Sequence, residues 1–266
     1  MSENIIIKTS REIELMRKAG KITAGARSIA RQAIKSGCTT KQVDKAVHDY
    51  IVKNGAKPTF LGYGGFPGSA CVSVNEEVIH GIPGKRVIHT GDIVSVDVGA
   101  TINGYVGDCA GTYACGEVSP EARRLMDVTR ECFFEALKFA RVGYRISDIG
   151  AAVQDYAEGH GYGVVREYVG HGVGRVLHEA PEVPNFRASR RERVEGLGTR
   201  TDPRLRQGMT IAIEPMITAG DYSVRVLSND WTVVTVDGSL AAHYENTIAI
   251  TDGEPEILTM ADDIYM

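Results

Sequence analysis

The chain has 266 residues, 43% hydrophobic and 24% charged, enough to bury a large core as one big domain or two fused halves. Its net charge of -4 is too mild to announce a nucleic-acid binder, and five cysteines without a Cys-x-x-Cys pair fit a reducing compartment better than a disulfide framework. No apolar run reaches the ~18 residues of a membrane span, and Met1-Ser2-Glu3-Asn4 lacks the basic and apolar regions of a signal peptide, so the expectation is a soluble cytoplasmic protein.

Thr9-Ser10-Arg11-Glu12 has capping-box spacing, and Ile13, Met16, Ala19, Ile22, Ala26, Ile29 and Ala33 then recur at helical intervals. Thr39-Thr40-Lys41-Gln42 repeats the capping signal before a second helix that ends at Gly55. Strands are expected near 70–75, 93–101 and 105–113. The order then restarts, with helices near 120–140 and 146–159 and strands near 163–169, 209–217, 231–236 and 243–251. Val43 to Tyr50 aligns with Ile149 to Tyr156, sharing four of eight residues, and Gly55 aligns with Gly161. Two related halves, about 10–117 and 118–252, would explain this and would pack around a pseudo-twofold axis with a site between them. Two amphipathic helices that match by chance are the alternative.

Asn103-Gly104, between two β-rich runs, is a strong hairpin signal. A two-residue turn there sets Asp108 opposite Gly99, with Asp97 two residues along on the same face. The two carboxylates become diagonal neighbours, roughly 7–8 Å apart at the backbone. They can then converge on a pair of cations ~3.5–4 Å apart. The other reading is a solvated face, but Asp97 interrupts an apolar run, where an unpaired carboxylate is costly.

Glycines flank His171 and allow tight backbone approach to a ligand, although alone it reads as an ordinary loop histidine. Glu214 and Glu245 each lie in an apolar, strand-like context and could be paired core acids. Together with Asp97, Asp108 and His171 they form an oxygen-plus-nitrogen set suited to Mn, Fe, Co or Zn, and not to a closed structural zinc site.

In this order these residues closely resemble type I methionine aminopeptidases, within the creatinase-like "pita-bread" hydrolases. The matching segments are Asn75 to Pro83, Asp97 with Asp108, Gly170-His171-Gly172-Val173-Gly174, Ile213-Glu214-Pro215-Met216 and His243-Tyr244-Glu245-Asn246-Thr247. Ile7-Lys8-Thr9 and Glu14 to Gly20 also look like the family's opening, so the resemblance spans about 5 to 252. It implies an α+β fold with a pseudo-twofold axis, a central antiparallel sheet and two covering helix pairs. It implies removal of the initiator methionine from nascent polypeptides and short Met-peptides, with a small second residue preferred. It also implies two divalent metal ions, Fe(II), Mn(II), Co(II) or Zn(II). Asp108 and Glu245 would bridge them, Asp97 would complete one, and His171 with Glu214 the other. Glu214 would shuttle the proton, His178 donate to the scissile carbonyl, and His80 hold the scissile amide, while the substrate's free α-amine binds a metal. Tyr63, Phe66, Cys71, Leu177 and Trp231 match the methionine pocket, although such residues are also ordinary core.

The chain departs from the pattern at Phe60 and Leu177, where relatives often carry Cys and Phe, and the two changes are expected to compensate in volume. Cys109 stands where Thr or Ser is usual; losing a hydroxyl beside the ligands would weaken metal affinity modestly. An Arg-rich insertion near 187–207 reads as a solvated surface loop, or as a contact with ribosomal RNA phosphates. A prolidase or aminopeptidase P shares the ligand set but normally carries a further N-terminal domain; a metal-free binding module would have lost ligands. A monomer without membrane association is expected.

Overall fold

Thr9 starts the first helix as its spacing predicts. Its hydroxyl accepts the Glu12 amide, and the Glu12 carboxylate reaches back 2.9 Å to the Thr9 amide, opening α1 (Ser10–Ala33). Thr39 and Gln42 do the same for α2 (Thr40–Lys53). The computed structural model describes residues 4–187 and 201–260. In α1 the buried face includes Met16, Ala19 and Ala26 but is shifted toward Gly20, Thr23, Arg27 and Ala30, while Ile13 and Ile22 are half-buried. Close approach explains part of the shift: a Cβ on Gly107 would lie 2.8 Å from the Gly20 nitrogen, so glycine is needed where this helix crosses the sheet.

Four strands follow: β1 (Lys57–Pro58), β2 (Ala70–Val74), β3 (Glu77–Ile79) and β4 (Ile93–Ile102), before β5 (Tyr105–Ala114). β4 and β5 form a long antiparallel ribbon with Gly99 opposite Asp108 and Asp97 opposite Ala110. Asn103 and Gly104 both take positive φ, 53° and 76°, as the two-residue turn demands. Val94, Val96 and Val98 point toward α1 and α2, packing with Val43, Val47 and Ile51; Asp97 faces the other way.

The second half begins with α3 (Pro120–Leu137), capped by Ser119, and α4 (Ile146–Gly159). Among the described residues ten short strands follow: β6 (Gly163–Val164), β7 (Gly170–Gly172), β8 (Glu179–Val183), β9 (Thr210–Ile213), β10 (Met216–Thr218), β11 (Val224–Val226), β12 (Val233–Thr235), β13 (Ala241–His243), β14 (Asn246–Ala249) and β15 (Glu256–Ile257). Phe133, Ile149 and Val153 of the helices pack with Ile211, Ile213, Ile217 and Ile248 of the strands. The result is a mixed α+β architecture whose named strand pairs are antiparallel and whose helices cover them in two pairs.

Two expected strands are each broken in two, and the breaks carry the chemistry. β9 pairs with β14 and β10 with β13, with Ile213 opposite Asn246 and Met216 opposite His243. The same register runs through both blocks, so Glu214 and Glu245 stand opposite each other at the gap. Pro215 lacks an N–H and interrupts the ladder there, while the Tyr244 amide still donates to the Pro215 carbonyl at 3.2 Å. Of the expected strand 163–169 only Gly163–Val164 forms, and the next strand starts at Gly170.

Of the Arg-rich insertion, residues 188–200, including Arg190, Arg191, Arg193 and Arg200, lie outside the described residues. Its described flanks are tied to α4: Asp202 accepts the Ser147 amide at 3.0 Å and its hydroxyl at 2.9 Å, and Arg187 pairs with Asp155 at 3.2 Å. Among the described residues no helix is long and apolar enough to cross a membrane.

Candidate active site

The two ribbons are joined edge to edge. Ala110 and Glu245 exchange backbone hydrogen bonds of 3.2 and 3.1 Å, and the Thr247 hydroxyl bridges the Asp108 amide and carbonyl at 3.1 and 2.8 Å. This brings Asp108 beside Glu245. β7 pairs with β9 and carries His171 to the same place. Ligand atoms of Asp108, His171 and Glu245 all lie within 4.8 Å of one another. Asp97 and Glu214 line the same cavity.

The electrostatics of this cluster suit a divalent cation. His171 uses Nδ1–H to donate to the Gly172 carbonyl at 2.9 Å, which leaves the Nε2 lone pair facing outward. That atom lies 3.6 Å from Asp108 Oδ2 and 3.7 Å from Glu214 Oε1. Burial holds the His171 pKa down at about 3, so the ring is neutral and these contacts are not ion pairs. Lone pair faces carboxylate. Burial pushes Asp97 up to about 7, and burial followed by the Asp97 charge raises Asp108 and Glu214 well above the usual range. Burial, then Asp108, does the same for Glu245. Buried Asp97 Oδ1, Asp108 Oδ1 and Glu245 Oε1 have no hydrogen-bond partner among the described residues. Unpaired buried carboxylate oxygens are costly, and divalent cations would satisfy them together with the imidazole. Carboxylate oxygens with one imidazole nitrogen form a donor set that fits divalent metal ions.

His243 is an addition that sequence reasoning left without a role. Its Nε2 is buried without a hydrogen-bond partner among the described residues and lies 3.7 Å from Glu214 Oε2 and 3.9 Å from Glu245 Oε2. Burial lowers its pKa to about 3, so it too is a neutral ring beside the carboxylates.

The remaining expected residues gather around this centre. Phe66 and Trp231 meet edge to face with centroids 5.2 Å apart, and Cys71 and Leu177 line the same cavity. Burial, then the Asp97 charge, keeps the Cys71 thiol protonated by raising its pKa. His80 takes φ 57°, a left-handed conformation that a bulky residue rarely adopts. Its ring lies edge-on to Tyr168 at 5.8 Å and to Trp231 at 6.3 Å, and burial lowers its pKa to about 4. His178 stands at the mouth, 4.2 Å from the His171 ring, and its Nδ1 is 2.7 Å from the Tyr63 hydroxyl. Tyr63 thus lines the cavity and also hydrogen-bonds His178. Lys8 and Glu179 form a buried ion pair beneath this segment, and Glu179 also accepts the Arg175 amide at 2.8 Å.

All twelve residues expected at the site line one cavity. Ile79, Tyr168 and Val169 join them unannounced, although Tyr168 stands within the His171 segment whose pattern was legible. Phe60 and Leu177 pack in one cluster and both border the cavity. Phe60 sits over Gly99, where a Cβ would come within 2.7 Å of its ring. Cys109 corrects an expectation. It pairs with Val98 on the helix side of the ribbon and packs with the α1–α2 core, so its thiol points away from the ligands and replaces no hydroxyl there.

Residues 14–252 match the model of metallopeptidase family M24. The chain is 54% identical to a methionine aminopeptidase of Clostridium acetobutylicum over 97% of its own length and 100% of that protein's. A crystal structure of methionine aminopeptidase from Thermotoga maritima superposes with a TM-score of 0.90 at 47% identity, covering 97% of this chain and 100% of that one. A prolidase from Pyrococcus furiosus, at 24% identity and a TM-score of 0.75 over 97% of this chain and 66% of its own, shares the fold alone. The chain belongs to metallopeptidase family M24, among the type I methionine aminopeptidases.

Proposed function

We propose that this aminopeptidase removes methionine from nascent chains and Met-peptides with two divalent cations held by Asp97, Asp108, His171, Glu214 and Glu245. Asp108 and Glu245, adjacent across the joined ribbons, would hold the cations together with Asp97, His171 and Glu214. When bound, such a pair supplies Lewis acidity and lowers the pKa of water toward neutrality. Glu214 takes the water proton and delivers it to the leaving nitrogen. His178 donates to the scissile carbonyl oxygen as charge develops on it. The Tyr63 hydroxyl favours this by occupying Nδ1, which leaves the proton on Nε2. His80 holds the scissile amide. Phe66, Cys71, Leu177 and Trp231 receive the methionine side chain, and Tyr63 closes the wall nearest His178. The free α-amine is read at the carboxylate-rich end, which selects a chain end over an internal bond.

The observation that carries this reading is the set of unpaired buried carboxylate oxygens facing a neutral imidazole, at the end of an apolar cavity. The test is hydrolysis of Met-Ala-Ser with Fe(II), Mn(II), Co(II) or Zn(II), with Asp97→Ala as control. Faster cleavage of Gly-Pro would move the protein toward the prolidases, and no cleavage with any metal would sink the proposal. A small second residue is the preferred substrate, measured by exchanging Ala for Leu in that peptide.

The two halves, about 10–117 and 118–252, are read as duplicated units: Val43 and Val47 are buried like Ile149 and Val153, and Gly55 and Gly161 both take positive φ after their helices. The cellular setting that fits is a monomer in the cytoplasm, in keeping with five free cysteines, four of them buried. Contact with the ribosome through the Arg-rich insertion is checked by deleting 188–197 and measuring salt-sensitive co-sedimentation.

A further inference from the structure

A second recess opens between α1 and α3, on the helix side of the sheet. Arg27 and Arg31 line it from α1, and Arg123 and Arg130 from α3, each set on one helix face. Among the described residues of its lining, one carboxylate, Asp127, answers four guanidinium groups. Arg31 and Arg123 are exposed, and their side chains have no ion pair or hydrogen bond among the described residues. Arg130 pairs outward with Glu131 at 2.8 Å and stacks over Phe134. Arg27 is buried among oxygens of Ala110, Glu245, Asn246 and Thr259, and none of these hydrogen-bond partners is a carboxylate. Its charge lies at the base of the recess, partly offset by the nearby Glu245 carboxylate. The floor includes Tyr244, 9% exposed, whose buried hydroxyl has no hydrogen-bond partner among the described residues.

Like charges gathered at a concave site raise the potential there and draw an anion. Guanidinium forks match the paired oxygens of phosphate and carboxylate groups alike, which a halide lacks, and two forks at one recess suit the three acceptor oxygens of a phosphate. The charges converge on a recess and do not run along a stripe, which favours a compact ligand over a nucleic-acid strand. Tyr113 and Met126 add apolar surface beside the arginines. We propose that this recess binds the phosphate group of a small phosphorylated molecule, with Arg31 and Arg123 as its forks.

The test uses the full-length, metal-loaded protein and titration calorimetry at fixed ionic strength, with inorganic phosphate and AMP as probes. Arg31→Ala combined with Arg123→Ala should weaken binding at least about tenfold, the loss expected for two charge-assisted contacts. Methionine release from Met-Ala-Ser without phosphate should stay unchanged. The charge-matched pair Arg11→Ala with Arg124→Ala, outside the recess, should bind both probes as the parent protein does. Tighter binding of AMP than of phosphate would identify a nucleotide source, and equal binding a free phosphate group. Equal losses in both double variants would reduce the effect to net charge and overturn the proposal. So would unchanged affinity in the first variant, which places the anion on the catalytic metals, or binding of a short RNA without binding of either probe.

Discussion

The hydroxyl of Tyr63 lies 2.7 Å from Nδ1 of His178, at the mouth of the cavity. Tyr63 is 44% exposed, so its contact with the histidine and not burial accounts for its placement. Tyr63→Phe removes the oxygen but keeps the ring. One neutral hydrogen bond contributes about 0.5–1.5 kcal/mol, so kcat for Met-Ala-Ser should fall by up to about tenfold with KM nearly unchanged. A rise in KM at constant kcat would return Tyr63 to the role of a simple wall.

Metal removal should change the sign of the pH dependence of stability. Asp97 rises from its ordinary 3.8 to about 7 in the folded chain, mainly through burial, and Asp108, Glu214 and Glu245 shift the same way. Each acid holds its proton more tightly folded than unfolded. The folded state is therefore favoured below the ordinary carboxylate range, and that stability is lost as pH climbs from about 4 to 7. Chelated protein should lose Tm across that window, Asp97→Asn should flatten the loss, and excess Mn(II) at pH 7 should restore the Tm. A metal-free Tm that holds level or rises from pH 4 to 7 would contradict the idea.

Lys8 and Glu179 tie the start of the chain to the segment bearing His178, with side chains only 3% and 4% exposed. Removing one partner strands a buried charge, which costs about 3–5 kcal/mol. Lys8→Met should lower unfolding free energy by that amount in urea melts, and the added Glu179→Gln should recover much of it. If the double variant is no more stable than the single, the pair is not the source of the loss.

Cys109→Thr should leave metal dissociation constants unchanged, because the side chain points into the α1–α2 core. A hydroxyl buried there without a partner costs about 1–3 kcal/mol, so the change should appear in thermal melts. Tighter metal binding on calorimetric titration would show that the thiol reaches the ligands after all.

Much of this site was legible because it obeys short-range rules. The Asn103-Gly104 turn fixes the register, and the two-residue period of a strand then places Asp97 and Asp108 on one face. Capping boxes fixed the starts of α1 and α2 within a residue. The second ribbon was harder. Its alternation continues through Glu214 and Glu245, so the gap at Pro215 and Tyr244 left no mark in the periodicity. The burial of Arg27 and Thr23 on α1 was also hidden, since a cation on a helix reads as solvent-facing until carbonyls from Ala110 and Glu245 meet it. Neither the Tyr63–His178 contact nor the approach of His243 to Glu214 can be read locally, because each joins separate segments of the chain.

The Thr247 hydroxyl that bridges Asp108 joins positions 139 residues apart. Hydrolytic competence is therefore a property of the completed fold, and neither ribbon alone can assemble the cradle. Contacts of such long sequence separation form late, after the entropy of closing the intervening loop has been overcome. A chain still being synthesised would remain inert as a peptidase until its last sheet strands had docked.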